Sequence, residues 1–209
     1  SEEFVSEVLD LCVGCKGCAR DCPSEVDMAK MKAEIVHERH QREGASLRSR
    51  LFANFDSLAR LGSATAPVSN WASALPGTDW LAERLLGVAA ERSLPTFERR
   101  TLRDWHAARD AAVDPETASR RALLVPDTDT NYVDPAVGRA AVRVLEAADV
   151  HVDLAPVTDS GRPAHSKGFL DVAAETAREN VSALAPAVAD GRDVVVIEPS
   201  DAVAALIHS

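Results

Sequence analysis

Ala122-Leu123-Leu124-Val125, followed by the amphipathic run Pro135 to Ala148 and then by Val150-His151-Val152-Asp153-Leu154, decides the architecture of the second half of this chain. The first run reads as a buried strand. The second carries apolar residues at helical spacing and starts on Pro135, a residue suited to a first helical turn. The third reads as another strand. A longer helical stretch, about 166 to 189, leads through Gly191 to Val194-Val195-Val196-Ile197, a third strand that is apolar throughout, as expected when both faces of a sheet are covered. Strand, helix, strand, helix, strand in this order predicts a βαβαβ unit with a parallel sheet.

Polar residues gather where each strand ends. Asp127-Thr128-Asp129-Thr130-Asn131-Tyr132 follows the first, Thr158-Asp159-Ser160-Gly161-Arg162-Pro163 with His165 the second, and Glu198-Pro199-Ser200-Asp201 the third. Parallel sheets place ligand sites at the carboxyl ends of their strands, so these loops are expected to converge on one crevice. Asp129, Asn131, Asp159, Ser160, His165 and Asp201 are its candidate lining residues. The competing reading is that they are turn and cap residues, which Asp, Ser, Thr and Pro also favour.

Upstream, residues 44 to 118 hold all three tryptophans, Trp71, Trp80 and Trp105. Their periodicity predicts short amphipathic helices near 46 to 61, 79 to 91 and 98 to 111, with a linker from Gly62 to Pro67. The expected role of this segment is to pack its neighbours together, with its arginines on solvated helix faces.

The chain's four cysteines fall inside eleven residues: Cys12-x2-Cys15-x2-Cys18-x3-Cys22, followed by Pro23. That is the bacterial-ferredoxin spacing for a 4Fe-4S cluster, with Cys12, Cys15, Cys18 and Cys22 as metal ligands. Gly14 and Gly17 leave the backbone free to approach a cluster and aim amides at its sulfides. Structural zinc usually draws on two separated pairs of ligands, and disulfides between such close neighbours are strained. In two-cluster ferredoxins the cysteine before proline serves the other cluster. Cys22 therefore either closes a single cluster, or serves a second one while Cys12, Cys15 and Cys18 take a fourth ligand from elsewhere. A short helix at 5 to 11 is expected to lead into the loop. Ser24 is expected to cap the helix beyond it, with Asp27 three positions on and Met28, Met31 and Ile35 as its packing stripe. His37 and His40 on that helix read as surface or packing residues.

Twenty-three basic residues against 33 acidic give a net charge of -10, which argues against a nucleic-acid partner. Of the basic residues only Lys16, Lys30, Lys32 and Lys167 are lysines, leaving 19 arginines. No apolar run approaches the roughly 20 residues of a membrane span, and no secretory signal is evident. These features predict a soluble cytoplasmic protein, with a peripheral station at the inner membrane face as the variant. The start without methionine and the stop at Ser209 read as those of a fragment.

At these residues the chain resembles the iron-sulfur component of FAD-linked 2-hydroxyacid oxidoreductases. That group includes the glycolate oxidase iron-sulfur subunit and fused D-lactate or D-2-hydroxyglutarate dehydrogenases, and is related to heterodisulfide reductase and to anaerobic glycerol-3-phosphate dehydrogenase iron-sulfur subunits. The resemblance rests on Leu11-Cys12-x-x-Cys15-Lys16-Gly17-Cys18-x-x-Asp21-Cys22-Pro23, Val26-Asp27-Met28-Ala29, Lys32-Ala33-Glu34, Leu94-Pro95 and Thr101-Leu102-Arg103-x-Trp105. It continues through Asp129-Thr130-Asn131-Tyr132, Gly138-Arg139-Ala140-Ala141, Gly161-Arg162-Pro163, Ser166-Lys167-Gly168 and Glu198-Pro199-Ser200. It implies an upstream FAD-binding dehydrogenase, a first cysteine motif before Ser1, and an electron acceptor such as a quinone or carrier protein. It also implies that Cys22 exchanges places with its counterpart in that first motif.

The chain departs from the family where a Cys-Cys-Gly sequence is usual and Asp159-Ser160-Gly161 stands, and where cysteine follows Glu-Pro-Ser and Asp201 stands. A thiolate-bound centre in the α/β unit is therefore not expected; two carboxylates and a hydroxyl there would hold a hard cation, bind a polar ligand or solvate the crevice. The fold class expected is α+β: a helical ferredoxin-like segment at 1–43, a helical connection at 44–118 and a βαβαβ three-stranded CCG-type unit at 119–209. The function expected is electron transfer from a flavin on a separate domain or subunit through a 4Fe-4S cluster. The alternatives are a heterodisulfide-reductase-like subunit and a structural metal-binding domain without redox duty.

Overall fold

A computed structural model describes residues 9, 11, 12, 14, 16–24, 26–89, 91 and 94–197. These fall into two compact units, one reaching Ala53 and including Gly161–Glu175, the other comprising Asn54–Ser160 and the chain from Thr176. The helix expected at 5 to 11, apart from Leu9 and Leu11, and the whole loop after the third strand, Glu198-Pro199-Ser200-Asp201, lie outside the described residues.

In the first unit, the helices α1 (Gly17–Asp21), α2 (Met28–Glu43) and α3 (Leu47–Ala53) follow one another. The start of α2 is set by Asp27 and not by Ser24, which sits in the turn after Pro23. The Asp27 side chain accepts the Lys30 amide at 2.9 Å, and a carboxylate outranks a serine there because it also meets the positive end of the helix dipole. The packing stripe is shifted from the one expected. Met31 is 46% exposed, while Ala29 and Ala33 are buried. Small side chains on that face let other backbone approach closely. Gly168, at φ +75°, comes so near α2 that an added Cβ would lie 2.6 Å from Val36 Cγ1. His37 donates from Nδ1 to the Gly168 carbonyl at 3.0 Å, and the His40 ring packs 4.9 Å from that of Phe169, so both histidines are packing residues. The short helix later in the chain that belongs to this unit (Arg162–Ser166, α10 below) packs on α3.

The second unit begins with α4 (Phe55–Ala64), α5 (Val68–Ser73), α6 (Thr78–Leu86) and α7 (Leu102–Ala107). The linker expected from Gly62 to Pro67 is instead packed structure. Gly62 to Ala64 complete α4, Ser63 and Ala66 are buried, and a Cβ on Gly62 would strike the Phe97 ring at 2.4 Å. The run of small residues that suggests flexibility is there to admit Phe97. Leu61, Val68, Trp71, Trp80 and Leu85 on α4 to α6 are each at least 60% exposed.

The sheet is as its sequence pattern predicts: β1 (Arg120–Val125), α8 (Thr128–Tyr132), α9 (Pro135–Ala147), β2 (Val150–Leu154), α10 (Arg162–Ser166), α11 (Leu170–Ala189) and β3 (Asp193–Val196). All pairings are parallel in the order β2-β1-β3, with Ala122 opposite Val152 and Asp193. Helix α9 covers one face, where Ala122, Leu124, Val142, Val150 and Val152 form a core joined by Trp105 and Leu145. Gly138 brings α9 against α7 and α8: a Cβ there would lie 2.2 Å from Leu102 Cδ2 and 2.8 Å from Thr130 Cγ2. Two expectations are corrected. The long helix starts at Leu170 because Gly168 turns left-handed after the short α10, and β3 is half-buried along its whole length where the apolar run predicted full cover. The ferredoxin-like arrangement of the first unit remains an expectation.

Candidate metal centre

Two described residues of the cysteine loop, Gly14 at φ 72° and Lys16 at φ 55°, have left-handed backbone, curling the chain between Cys12 and Cys18. Lys16 precedes α1, which carries Cys18, and Cys22 follows that helix in extended backbone with its amide donating to the Cys18 carbonyl at 2.9 Å. Two further bonds fix the loop to α2. The Met28 amide lies 3.4 Å from Cys18 Sγ, and Lys32 Nζ donates to the Cys12 carbonyl at 2.8 Å.

Lys16 pairs with Asp27 at 3.7 Å. Burial alone would raise the Asp27 carboxyl, but the Lys30 amide, the Lys16 ammonium and the Ala29 amide together outweigh it and hold the group below its ordinary value. The cap of α2 therefore stays charged and keeps its grip on Lys16.

Cys12, Cys18 and Cys22 are half-buried thiols outside any disulfide. Cys15 lies outside the described residues, and among the described residues no three Cys, His, Asp or Glu side chains are gathered closely enough to hold a metal ion. The donor set fits an iron-sulfur cluster in kind: soft thiols, a left-handed loop, and an amide already directed at a sulfur, the outer-shell interaction that tunes such centres.

The second candidate site is at the carboxyl ends of β1 and β2. Asp127 caps α8 by accepting the Thr130 amide at 2.6 Å, so the residues read as a loop after β1 form a short helix. Asn131 is 1% exposed, and its Oδ1 accepts the Arg103 amide at 3.2 Å; its Nδ2 is buried without a hydrogen-bond partner. Asn131 thus braces α7 from within the fold. Asp129 is exposed, as is Ser160, and the Asp159 carbonyl accepts Asn180 Nδ2 at 2.8 Å. His165 belongs to the other unit, and Asp201 lies outside the described residues. What the structure does bring together after β1 and β2 is Thr128, whose hydroxyl is 2.7 Å from Asp56 Oδ1 and 3.4 Å from the Thr158 carbonyl.

Three residues at this end of the sheet were not among the sequence candidates: Arg103, Tyr132 and Asp56. Arg103 Nη2 donates to the carbonyls of Ala155 and Val157, tying α7 to the chain leaving β2. Burial pulls its guanidinium below its ordinary value, against the charges of Tyr132 and Asp56. Burial first and Asp56 second push the Tyr132 phenol up. The sequence signal for Arg103 and Tyr132 was their position inside the motifs that carry the family resemblance; Asp56, far upstream, had none. Beside Arg103 a cleft of about 560 Å³ is lined by His106, Leu123, Asp153, Leu154 and Arg192. Its polar groups are engaged: Arg192 bonds Asp153 at 2.9 Å and His106 donates to the Val152 carbonyl at 3.0 Å.

Among known proteins, the chain is 26% identical over 205 residues to D-2-hydroxyglutarate dehydrogenase of Escherichia coli (strain K12), covering 94% of this chain and 20% of that protein. The enzyme of the same name from Haemophilus influenzae is likewise 26% identical over 205 residues, with the same coverage. A subunit of the anaerobic glycerol-3-phosphate dehydrogenase of Escherichia coli (strain K12) is 28% identical over 170 residues, covering 79% of this chain and 41% of that subunit. The chain thus spans about a fifth of the length of the D-2-hydroxyglutarate dehydrogenases it matches. No protein-family model matches it, and no solved structure matches it significantly. Within the described residues no helix is long and apolar enough to cross a membrane. Its relatives are oxidoreductases of the 2-hydroxyacid and glycerol-3-phosphate type.

Proposed function

We propose that this chain is an electron-transfer segment of an FAD-linked 2-hydroxyacid dehydrogenase, with Cys12, Cys15, Cys18 and Cys22 as thiolate ligands in 4Fe-4S chemistry. The observation that carries the proposal is the cysteine run itself, four thiols at ferredoxin spacing in a chain with no other cysteine. The Met28 amide at Cys18 Sγ and the similarity to dehydrogenases over 94% of the chain support it.

When bound, such a cluster carries one electron at a time, which lets a flavin that has taken two electrons from substrate release them singly. The chain's own residues hold and shape that centre. The thiols supply the ligands, the Met28 amide withdraws charge from the Cys18 sulfur, and Lys32 anchors the Cys12 end of the loop. Cys12, Cys15 and Cys18 serve one cluster, and Cys22 serves its neighbour together with a motif outside this sequence. The flavin-bearing dehydrogenase and the acceptor, a quinone or a carrier protein, are the partners.

Anaerobic reconstitution with iron and sulfide tests the reading. The expected product has broad visible absorbance that bleaches on reduction, and a paramagnetic signal in the reduced state. Stoichiometric zinc without that absorbance assigns the cysteines to a structural metal instead.

A further inference from the structure

All four lysines of this arginine-rich chain, Lys16, Lys30, Lys32 and Lys167, belong to the unit that carries the cysteines. Lys16 is paired with Asp27, and the arginines Arg20 and Arg39 of the same unit are paired with Asp21 and Glu43. Lys32, Arg48 and Lys167 have no carboxylate partner among the described residues, although acidic residues outnumber basic ones 33 to 23 in the sequence.

Two of these cations share one aromatic ring, and the charge of the third, Lys32, reaches Lys167. Lys167 Nζ and the Arg48 guanidinium pack on the same Phe52 ring, 5.3 and 5.8 Å from its centroid. Burial first, and then the charges of Arg48 and Lys32, push the Lys167 ammonium below its ordinary value. Lys32 in turn is bonded to the Cys12 carbonyl. Gathering like charges without a counter-charge costs free energy, and the described fold does not offset it. An anion at the cysteine loop would.

Resting on the iron-sulfur reading above, we propose that Lys32, Arg48 and Lys167 are the positive counter-charge of the cluster at the cysteine loop and raise its reduction potential. Four thiolates around a four-iron, four-sulfide core make an anion, and gaining an electron makes it more negative. Nearby ammonium and guanidinium groups stabilise the reduced form more than the oxidised form. The electron enters from the flavin and leaves to the acceptor, and the three side chains exchange no protons in the step. They are positioning residues, acting through the field and, for Lys32, through the Cys12 backbone.

The test is a potentiometric titration of the reconstituted full-length protein, followed by the paramagnetic signal of the reduced cluster. Lys167→Gln is expected to lower the reduced-to-oxidised ratio about tenfold at fixed potential, a fall of ~59 mV for a one-electron couple. Lys167→Arg retains the wild-type potential, and Lys32→Gln shifts in the same direction as Lys167→Gln. The difference between wild type and Lys167→Gln shrinks as salt is raised. An assembled cluster whose potential is the same in wild type and Lys167→Gln overturns the proposal. So does saturable binding of inorganic phosphate that needs Lys167 and Arg48 while the potential stays fixed, since it assigns the cations to an exogenous anion. Because Lys167 packs on Phe52 whereas Lys32 is bonded to the cysteine loop itself, the Lys167 variant remains informative even where Lys32→Gln fails to assemble. Failure of wild type to take up a cluster is a different result and removes the iron-sulfur reading together with this one.

Discussion

The two units of this chain bury very different things. In the α/β unit Leu102, Leu124, Val142 and Val152 are at most 1% exposed, and strands and helix α9 close around them. In the cysteine-bearing unit the buried apolar side chains among the described residues are Leu9 and four alanines, Ala29, Ala33, Ala53 and Ala164. At roughly 25 cal/mol for each Å² of apolar surface, alanines contribute little beside leucines and valines. The α/β unit therefore has its own apolar reason to fold, while the cysteine-bearing unit leans on helix caps, close backbone approach and whatever its thiols bind.

The sharpest way to break this contrast is through the thiols. Replacing Cys12 and Cys18 together by serine is expected to abolish iron uptake, read as iron per protein and as visible absorbance. Amides of α2 should then exchange with solvent far faster while those of β1 and β2 keep their protection. Equal loss of protection in both units would erase the distinction.

The next effect belongs to the α/β unit. Leu124→Ala is expected to cost about 2–5 kcal/mol in denaturant unfolding, because it leaves a cavity in a closed core. The cluster absorbance of the folded variant should match wild type. A fall in both signals together would mean that the sheet supports the cysteine loop after all.

A smaller effect is expected from Glu146, which receives both terminal nitrogens of Arg109, one at 3.0 Å, while the Arg109 guanidinium stacks 4.7 Å from the centre of the Trp105 ring. The Arg109 hydrogen bond is the main cause that holds the Glu146 carboxyl below its ordinary 4.5. A depressed folded-state pKa makes this contribution complete above the unfolded value and lost as pH falls through the folded one. Wild-type stability should thus decline on acidification below about pH 4.5, whereas Glu146→Gln, lower by about 1–3 kcal/mol at neutral pH, should show a flatter acid limb. Thermal melts across that pH range provide the measurement. Smallest is Asp27→Ala, expected to cost about 1 kcal/mol by removing the cap of α2, and visible as faster exchange of the first amides of that helix.

How much of this was legible in the sequence depends on the range of the interaction that decides each feature. The three strands, their parallel pairing and the start of α9 at Pro135 follow from local pattern, and the structure agrees with them to within a residue or two. Ser24 was a reasonable cap by residue type, but the competing carboxylate at Asp27 lies closer to the first helical turn and carries a charge. Gly62-Ser63-Ala64 read as a linker because Phe97, which fills the space those small residues leave, is thirty-five positions away in the chain. The same limit hid Arg103. Its grip on the Ala155 and Val157 carbonyls, and the neighbourhood of Asp56 and Tyr132, exist only once the chain has folded back on itself. The cysteine spacing was legible at once, since its meaning is carried by eleven consecutive residues.

The confinement of lysine to one unit has a practical consequence for anyone handling the protein. Reagents that couple to side-chain amines have four addresses here, and all belong to the cysteine-bearing unit. Lys30 is exposed, whereas Lys16, Lys32 and Lys167 are half-buried, so mild coupling should go first through Lys30, on the opening turn of α2. Attached that way to a carboxylated electrode or bead, the molecules would share one orientation, tethered through the cysteine-bearing unit and leaving the sheet unmodified.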